Sequence, residues 1–206
     1  MSLTFYYSPM STAVITNLVL AELDVPCEKI KVDLKAGATR KPEFLKLNPN
    51  GKVPLLVHEG TAIWESAAIT MYLGELYGVE KKLYPAPGPR RGEAMKWITW
   101  ANVTLGEAVA RLLRNTSEWT PAEQHNAKAA EVARADLGNC LRILDEALDG
   151  RSFLVGEYTL ADTHLNSLTD WIQMTKTDLS PYTRLQAWRQ RCAARPAYVR
   201  AMGSGG

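Results

Sequence analysis

The chain of 206 residues is poor in several features that would settle a function at once. Its three cysteines, Cys27, Cys140 and Cys192, are too few and too scattered for a disulfide framework, and none forms a Cys-x-x-Cys pair. Each is expected to be a small buried or incidental thiol. The three histidines, His58, His125 and His164, lack metal-ligand spacing, and no Ser-His-Asp or Cys-His order is present. No metal is expected. The net charge of +2, with basic residues interleaved among acidic ones, gives no strong field for nucleic acid. Arg184, Arg189, Arg191, Arg195 and Arg200 near the end read as a solvated helical face. No apolar stretch approaches the roughly 20 residues of a membrane-spanning helix, and residues 1–7 carry no basic segment before an apolar core. A cytoplasmic protein with no membrane association is the expectation. The hydrophobic share of 46% is ample for a buried core, in one large domain or two small ones.

What is present is concentrated in residues 48–66, NPNGKVPLLVHEGTAIWES. Asn48 to Gly51 is turn chemistry, and Pro54 should begin a strand through Leu55 and Val57, since proline cannot continue a helix here. An X-Pro bond can be cis, and a cis Val53-Pro54 bond would turn the Val53 amide and carbonyl outward, where they could pair with a short extended peptide. Glu59-Gly60 makes a turn and Thr61 to Trp64 returns as a second strand. Glu65-Ser66 then opens a helical pattern of Ala67, Ile69, Tyr72, Leu73 and Leu76. The free amides of that helix start can hold a carboxylate, Ser66 adds a hydroxyl donor, and Glu65 can reach an ammonium. Taken singly, Val-Pro is an ordinary edge-strand start and Glu-Ser an ordinary helix cap; the order and spacing together make the signal.

GKVPLLV followed by WES resembles the glutathione-binding signature of the cytosolic glutathione S-transferases, and the resemblance extends over the whole chain. It implies that Val53 pairs through its backbone with the cysteinyl part of glutathione, beside a cis Pro54. Glu65 and Ser66 would hold the γ-glutamyl end. Lys52, and Lys41 in the basic pair Arg40-Lys41, would lie towards the glycyl carboxylate. The resemblance also implies a two-fold homodimer, and an isologous contact is the commonest oligomer geometry.

The rest of the chain fits an α/β domain followed by an all-α one. Residues 3–7 read as a strand, 12–23 as a helix and 29–34 as a half-buried strand in which Ile30, Val32 and Leu34 alternate with polar residues. Strand, helix, strand, hairpin and helix give a thioredoxin-like order of mixed parallel and antiparallel strands over 1–77. The breakers Pro85, Pro87, Gly88 and Pro89 mark 78–89 as a linker. An all-helical domain follows over 90–206, with one long helical stretch at 92–115. A second helix is predicted to begin at Thr120, with Pro121 in first position and Glu123 completing a capping box, and to end at Asp149-Gly150. Thr159 and Asp162 resemble the cap of the central buried helix in these transferases. Thr163, however, stands where an apolar staple partner for Tyr158 belongs. The tail 203–206 is expected to be disordered.

Chemistry is expected in the loop Ser8-Pro9-Met10-Ser11-Thr12, at the carboxyl end of the first strand and beside a helix amino terminus. A free thiol titrates at about 8.5, and a hydroxyl donor with helix amides lowers that value at about 1.4 kcal/mol per unit. By resemblance to the serine-type phi and theta classes, Ser11 is the catalytic hydroxyl and Tyr7 the rival. Ser11 is equally a favoured N-cap. Thr12 stands where beta-class enzymes carry cysteine, which argues against a mixed-disulfide mechanism. The electrophile should lie between Met10 and the long helix, with Trp97, Trp100 and Val103 as lining residues, although aromatics at helical spacing more often pack in a core. The implied function is a glutathione transferase acting in detoxification, with glutathione as co-substrate and small hydrophobic electrophiles as partners. The alternatives are a non-catalytic glutathione-binding regulatory module, and a specialised glutathione-dependent dehalogenase, ring-cleaving enzyme or peroxidase.

Overall fold

A computed structural model describes residues 2–203. Strand β1 (Leu3–Tyr7) is followed by helix α1 (Ala13–Leu23) and strand β2 (Glu28–Lys31), which lies parallel to β1. The short helix α2 (Pro42–Leu45) leads to strands β3 (Leu55–His58) and β4 (Thr61–Trp64), then to helix α3 (Ser66–Leu73). The sheet order is β2-β1-β3-β4, with β3 antiparallel to both its neighbours. Glu59 and Gly60 both have positive φ (49° and 80°), the conformation of a two-residue hairpin turn whose twist suits the strands.

Strand β2 is shorter than its alternation promised. Val32 still donates its amide to the Tyr7 carbonyl (2.7 Å) and is buried. Asp33 then accepts from the Lys35 and Ala36 amides (2.9 and 3.1 Å) in a side-chain turn that ends the strand and leaves Leu34 exposed. Leu76 is also exposed, because α3 gives way at Gly74–Gly78 to a wide π turn wrapped on buried Tyr84. A Cβ on Gly74 would stand 2.8 Å from the Tyr84 ring, so only glycine lets the turn close there.

Beyond residue 88 every described element is helical: α4 (Pro89–Trp100), α5 (Glu107–Thr116), α6 (Ala127–Ala147), α7 (Leu160–Met174), α8 (Thr183–Ala193) and α9 (Pro196–Gly203). The stretch expected at 92–115 is one run from Pro89 to Thr116, interrupted by a π segment at Ala101–Gly106. The helix predicted at Thr120 begins at Ala127 instead. Pro121 is extended (ψ 136°), and Asn126 supplies the cap, accepting from the Ala129 amide (2.9 Å) while its own amide donates to Asn115 Oδ1 (3.0 Å). A cap held from both sides outcompetes the Thr120 box. Gly203 closes α9, so it is not part of a disordered tail; 204–206 lie outside the described residues. Among the described residues no helix is long and apolar enough to cross a membrane.

Two apolar clusters divide the chain, one between the sheet and α1 and α3, the other among the later helices. Of the arginines near the end, Arg184, Arg191 and Arg200 are exposed, whereas Arg189 and Arg195 are partly buried in ion pairs and not on a solvated face. Arg195 grips Glu22 of α1 with two bonds of 2.7 Å and stacks 3.6 Å from the Tyr158 ring centre. Arg189 donates to Thr169 and Asp170, Arg184 to Asp145 and Asp149, and Arg191 to the Ser152 carbonyl. The Thr163 departure is resolved by the same cluster: the Tyr158 hydroxyl donates to Glu22 (3.0 Å) and meets Thr163 Oγ1 (2.9 Å), a polar contact in place of an apolar staple.

Candidate functional site

The turn at 48–51 fixes the approach to the site. Buried Asn48 accepts from the Asn50 amide (3.1 Å) and donates to the Lys52 carbonyl (2.7 Å), tying both ends of the loop to one side chain. Gly51 (φ 60°) has no room for a Cβ, which would lie 2.8 Å from the Arg40 guanidinium. Chain direction is thus set for Lys52, Val53 and Pro54. The Val53-Pro54 bond is cis, as expected. The Val53 amide has no acceptor among the described residues, and its carbonyl accepts from the Thr12 hydroxyl (3.5 Å).

Glu65, at the N-cap of α3, has φ 72° and ψ 116°, unusual for a residue with a Cβ, and no side chain caps the helix. The first amides of α3 are therefore left for something else. Lys52, Val53, Pro54, Glu65 and Ser66 meet on one cavity of about 430 Å³, whose walls also include Thr12, Asn50, Asn102 and Val103. Lys41 is exposed and stands outside that wall.

Ser11 lines a separate apolar recess of about 250 Å³, with Met10, Val14, Trp171, Met174 and Met202. Its hydroxyl donates to the Ser8 carbonyl (2.7 Å) and accepts from the Ala13 amide (3.2 Å) in a local turn beside the helix start. The N-cap residue of α1 is Thr12 rather than Ser11, and no side chain caps that helix. Tyr7 lines neither space and stacks on Phe5. Trp97 is buried in the helical core, edge-on to Trp100 at 5.3 Å; of the three proposed lining residues only Val103 lines either of these two spaces.

Three hydrogen bonds that spacing did not disclose lie behind Ser66. Asn102 Nδ2 donates to Ser66 Oγ (2.9 Å), His164 Nε2 meets Asn102 Oδ1 (2.8 Å), and His164 Nδ1 meets Thr70 Oγ1 (2.8 Å). Burial pushes the His164 pKa down to about 3, so the ring is neutral at physiological pH. Burial disfavours the thiolate at each cysteine: it raises the Cys27 pKa to about 11 and raises those of Cys140 and Cys192. Among the described residues no group of three or more His, Cys, Asp or Glu could hold a metal ion.

The family model "Glutathione S-transferase, N-terminal domain" matches residues 1–75, and "Glutathione S-transferase, C-terminal domain" matches residues 103–196. Glutathione S-transferase GstB of Escherichia coli K12 is 34% identical over 188 residues, 87% of each chain. The chain belongs to the glutathione S-transferase family of enzymes. Among solved structures, a delta-class glutathione transferase of Nilaparvata lugens is 30% identical with a TM-score of 0.85, covering 97% of this chain and 92% of its own. Glutathione transferase URE2P8 of Phanerochaete chrysosporium, solved with oxidized glutathione, is 26% identical with a TM-score of 0.89, covering 98% and 94%. The fold is accordingly a thioredoxin-like domain followed by the helical domain of this family.

Proposed function

We propose that the cavity binds glutathione and that the protein activates its thiol for attack on small hydrophobic electrophiles. The observation that carries this reading is the uncapped start of α3 facing one cavity with the free Val53 amide and the beginning of α1. The γ-glutamyl α-carboxylate would sit on the α3 amides and Ser66, its ammonium near Glu65, the cysteinyl backbone against Val53 beside Pro54, and the glycyl carboxylate towards Lys52. Lys41, outside the wall, contributes a long-range charge. The sulfur then lies at the start of α1, where helix amides favour a thiolate.

Ser11 is the proposed thiolate donor, because it adjoins both that helix start and the apolar recess in which an electrophile would stand. It must turn its hydroxyl from the Ser8 carbonyl to do so. Thr12, whose side chain already faces the glutathione cavity, is the competing donor; Tyr7 is the more distant one. The thiolate forms a bond to the electrophilic carbon, and in an aryl halide the halide leaves with its bonding pair. That the Ser11 hydroxyl is already engaged with Ser8 and Ala13 favours the second reading, a glutathione-binding module without turnover. We further propose the division into 1–77, 78–89 and 90–206, a two-fold homodimer and a cytoplasmic role in detoxification, all supported by the family membership; sedimentation at monomer mass would remove the dimer.

Turnover of a chromogenic aryl halide with glutathione tests the function. Ser11→Ala is expected to slow it roughly tenfold by raising the bound thiol's pKa about one unit, with Thr12→Val and Tyr7→Phe closer to wild type. A larger loss in Thr12→Val transfers the role to Thr12. Binding with no turnover in wild type selects the module.

A further inference from the structure

We infer that Asn102 and His164 are positioning residues that hold the Ser66 hydroxyl as a hydrogen-bond donor towards the cavity, making the α3 start selective for a carboxylate over the corresponding neutral amide. The inference rests on the reading of that cavity as a glutathione site.

The polarity follows from the orientation of the Asn102 amide, whose Oδ1 faces His164 and whose Nδ2 faces Ser66. Ser66 and Thr70, four residues apart, share a face of α3, and the chain of bonds leaves that face at Thr70 and returns to it at Ser66. A neutral imidazole has one N–H. Asn102 Oδ1 can only accept, so His164 Nε2 carries the proton and His164 Nδ1 presents a lone pair. Buried Thr70 must then donate to it. Asn102 Nδ2 can only donate, so Ser66 Oγ accepts. The Ser66 proton is left over, with no acceptor among the described residues, on a side chain that lines the cavity. Bonds oriented alike along such a chain reinforce one another.

Backbone geometry supports the same reading. Asn102 lies in the wide π segment Ala101–Gly106, where the helix loosens beside the cavity and the residue reaches across to α3 from the other domain. His164 is on α7, the most buried helix of the molecule, and is itself fully buried. The donor that faces the ligand is thus anchored through the helical core rather than by its own strand–helix turn.

Calorimetric titration with glutathione, and with its analogue bearing a carboxamide in place of the γ-glutamyl α-carboxylate, tests this in wild type, Ser66→Ala, Asn102→Ala, the double variant, Asn102→Asp and His164→Gln. Wild type is expected to prefer glutathione by roughly tenfold to a hundredfold, the strength of one hydrogen bond to a charged group. Asn102→Ala should lose most of that preference, His164→Gln part of it, and the double variant should be no worse than Ser66→Ala alone. In Asn102→Asp the new carboxylate accepts from both His164 and Ser66, so the preference should collapse or invert. This near-isosteric change also serves if Asn102→Ala fails to fold, which circular dichroism reports. An unchanged preference in both Asn102 variants, or losses that multiply in the double variant, overturns the inference. A wild type that takes up no glutathione overturns the glutathione reading first, and this inference with it.

Discussion

Helices α3 and α7 begin in opposite ways. At α7, Thr159 and Asp162 form a complete capping box, and the Asp162 carboxylate also accepts from the Leu154 amide (3.0 Å) and the Trp188 indole (2.8 Å). At α3, the N-cap residue Glu65 has a strained backbone, offers no side-chain cap, and opens onto a cavity. Both starts present the same orphan amides, so the difference lies in who satisfies them. The first start is closed by its own sequence and stabilises the fold. The second is open, and it is the one we propose glutathione completes.

Breaking the closed start should have the largest effect. Asp162→Ala strands the Leu154 and Thr159 amides and the Trp188 indole in a buried site, and is expected to cost about 3–5 kcal/mol in chemical denaturation with glutathione affinity per folded molecule unchanged. A cost under about 1 kcal/mol would mean that the box is ornamental.

Acid probes the shared anchor. His164 is held neutral in the fold down to about pH 3, whereas the unfolded chain takes up a proton below about 6.5. Its contribution is therefore intact above 6.5 and is lost as pH falls from there towards 3, by up to about 1.4 kcal/mol per unit. Asp162, whose pKa burial raises, opposes that slope above its ordinary value, so the measurement is the difference between wild type and His164→Gln. Equal slopes in the two would remove His164 as the source.

The open start should respond in the opposite sense. Glu65→Gly relieves a positive φ and is expected to raise stability by up to about 1 kcal/mol while weakening glutathione binding. A variant both less stable and equally tight would contradict the assignment of strain to function. The smallest effect is expected from Thr159→Ser, which keeps the cap oxygen and should change stability by only a few tenths of a kcal/mol.

Local chemistry made much of this legible from sequence. The strands at 3–7 and 61–64, the turn at Glu59-Gly60, the proline step after Val53 and the Thr159 box each depend on residues within a few positions of one another. What escaped depends on distant ones. The start of α6 was decided by Asn115 reaching Asn126, and the arginines near the end were claimed by acids on α1, α6 and α7. Asn102 and His164 sit 62 residues apart in no recognisable motif, so only the packed helices reveal that they stand behind Ser66.

Amide NMR of the ¹⁵N-labelled protein during a glutathione titration compares the two helix starts in one sample. The account predicts that the amides of Ser66 and Ala67 shift and saturate together while those of Ala161 and Asp162 stay in place. Unmoved α3 amides at saturating glutathione would contradict it.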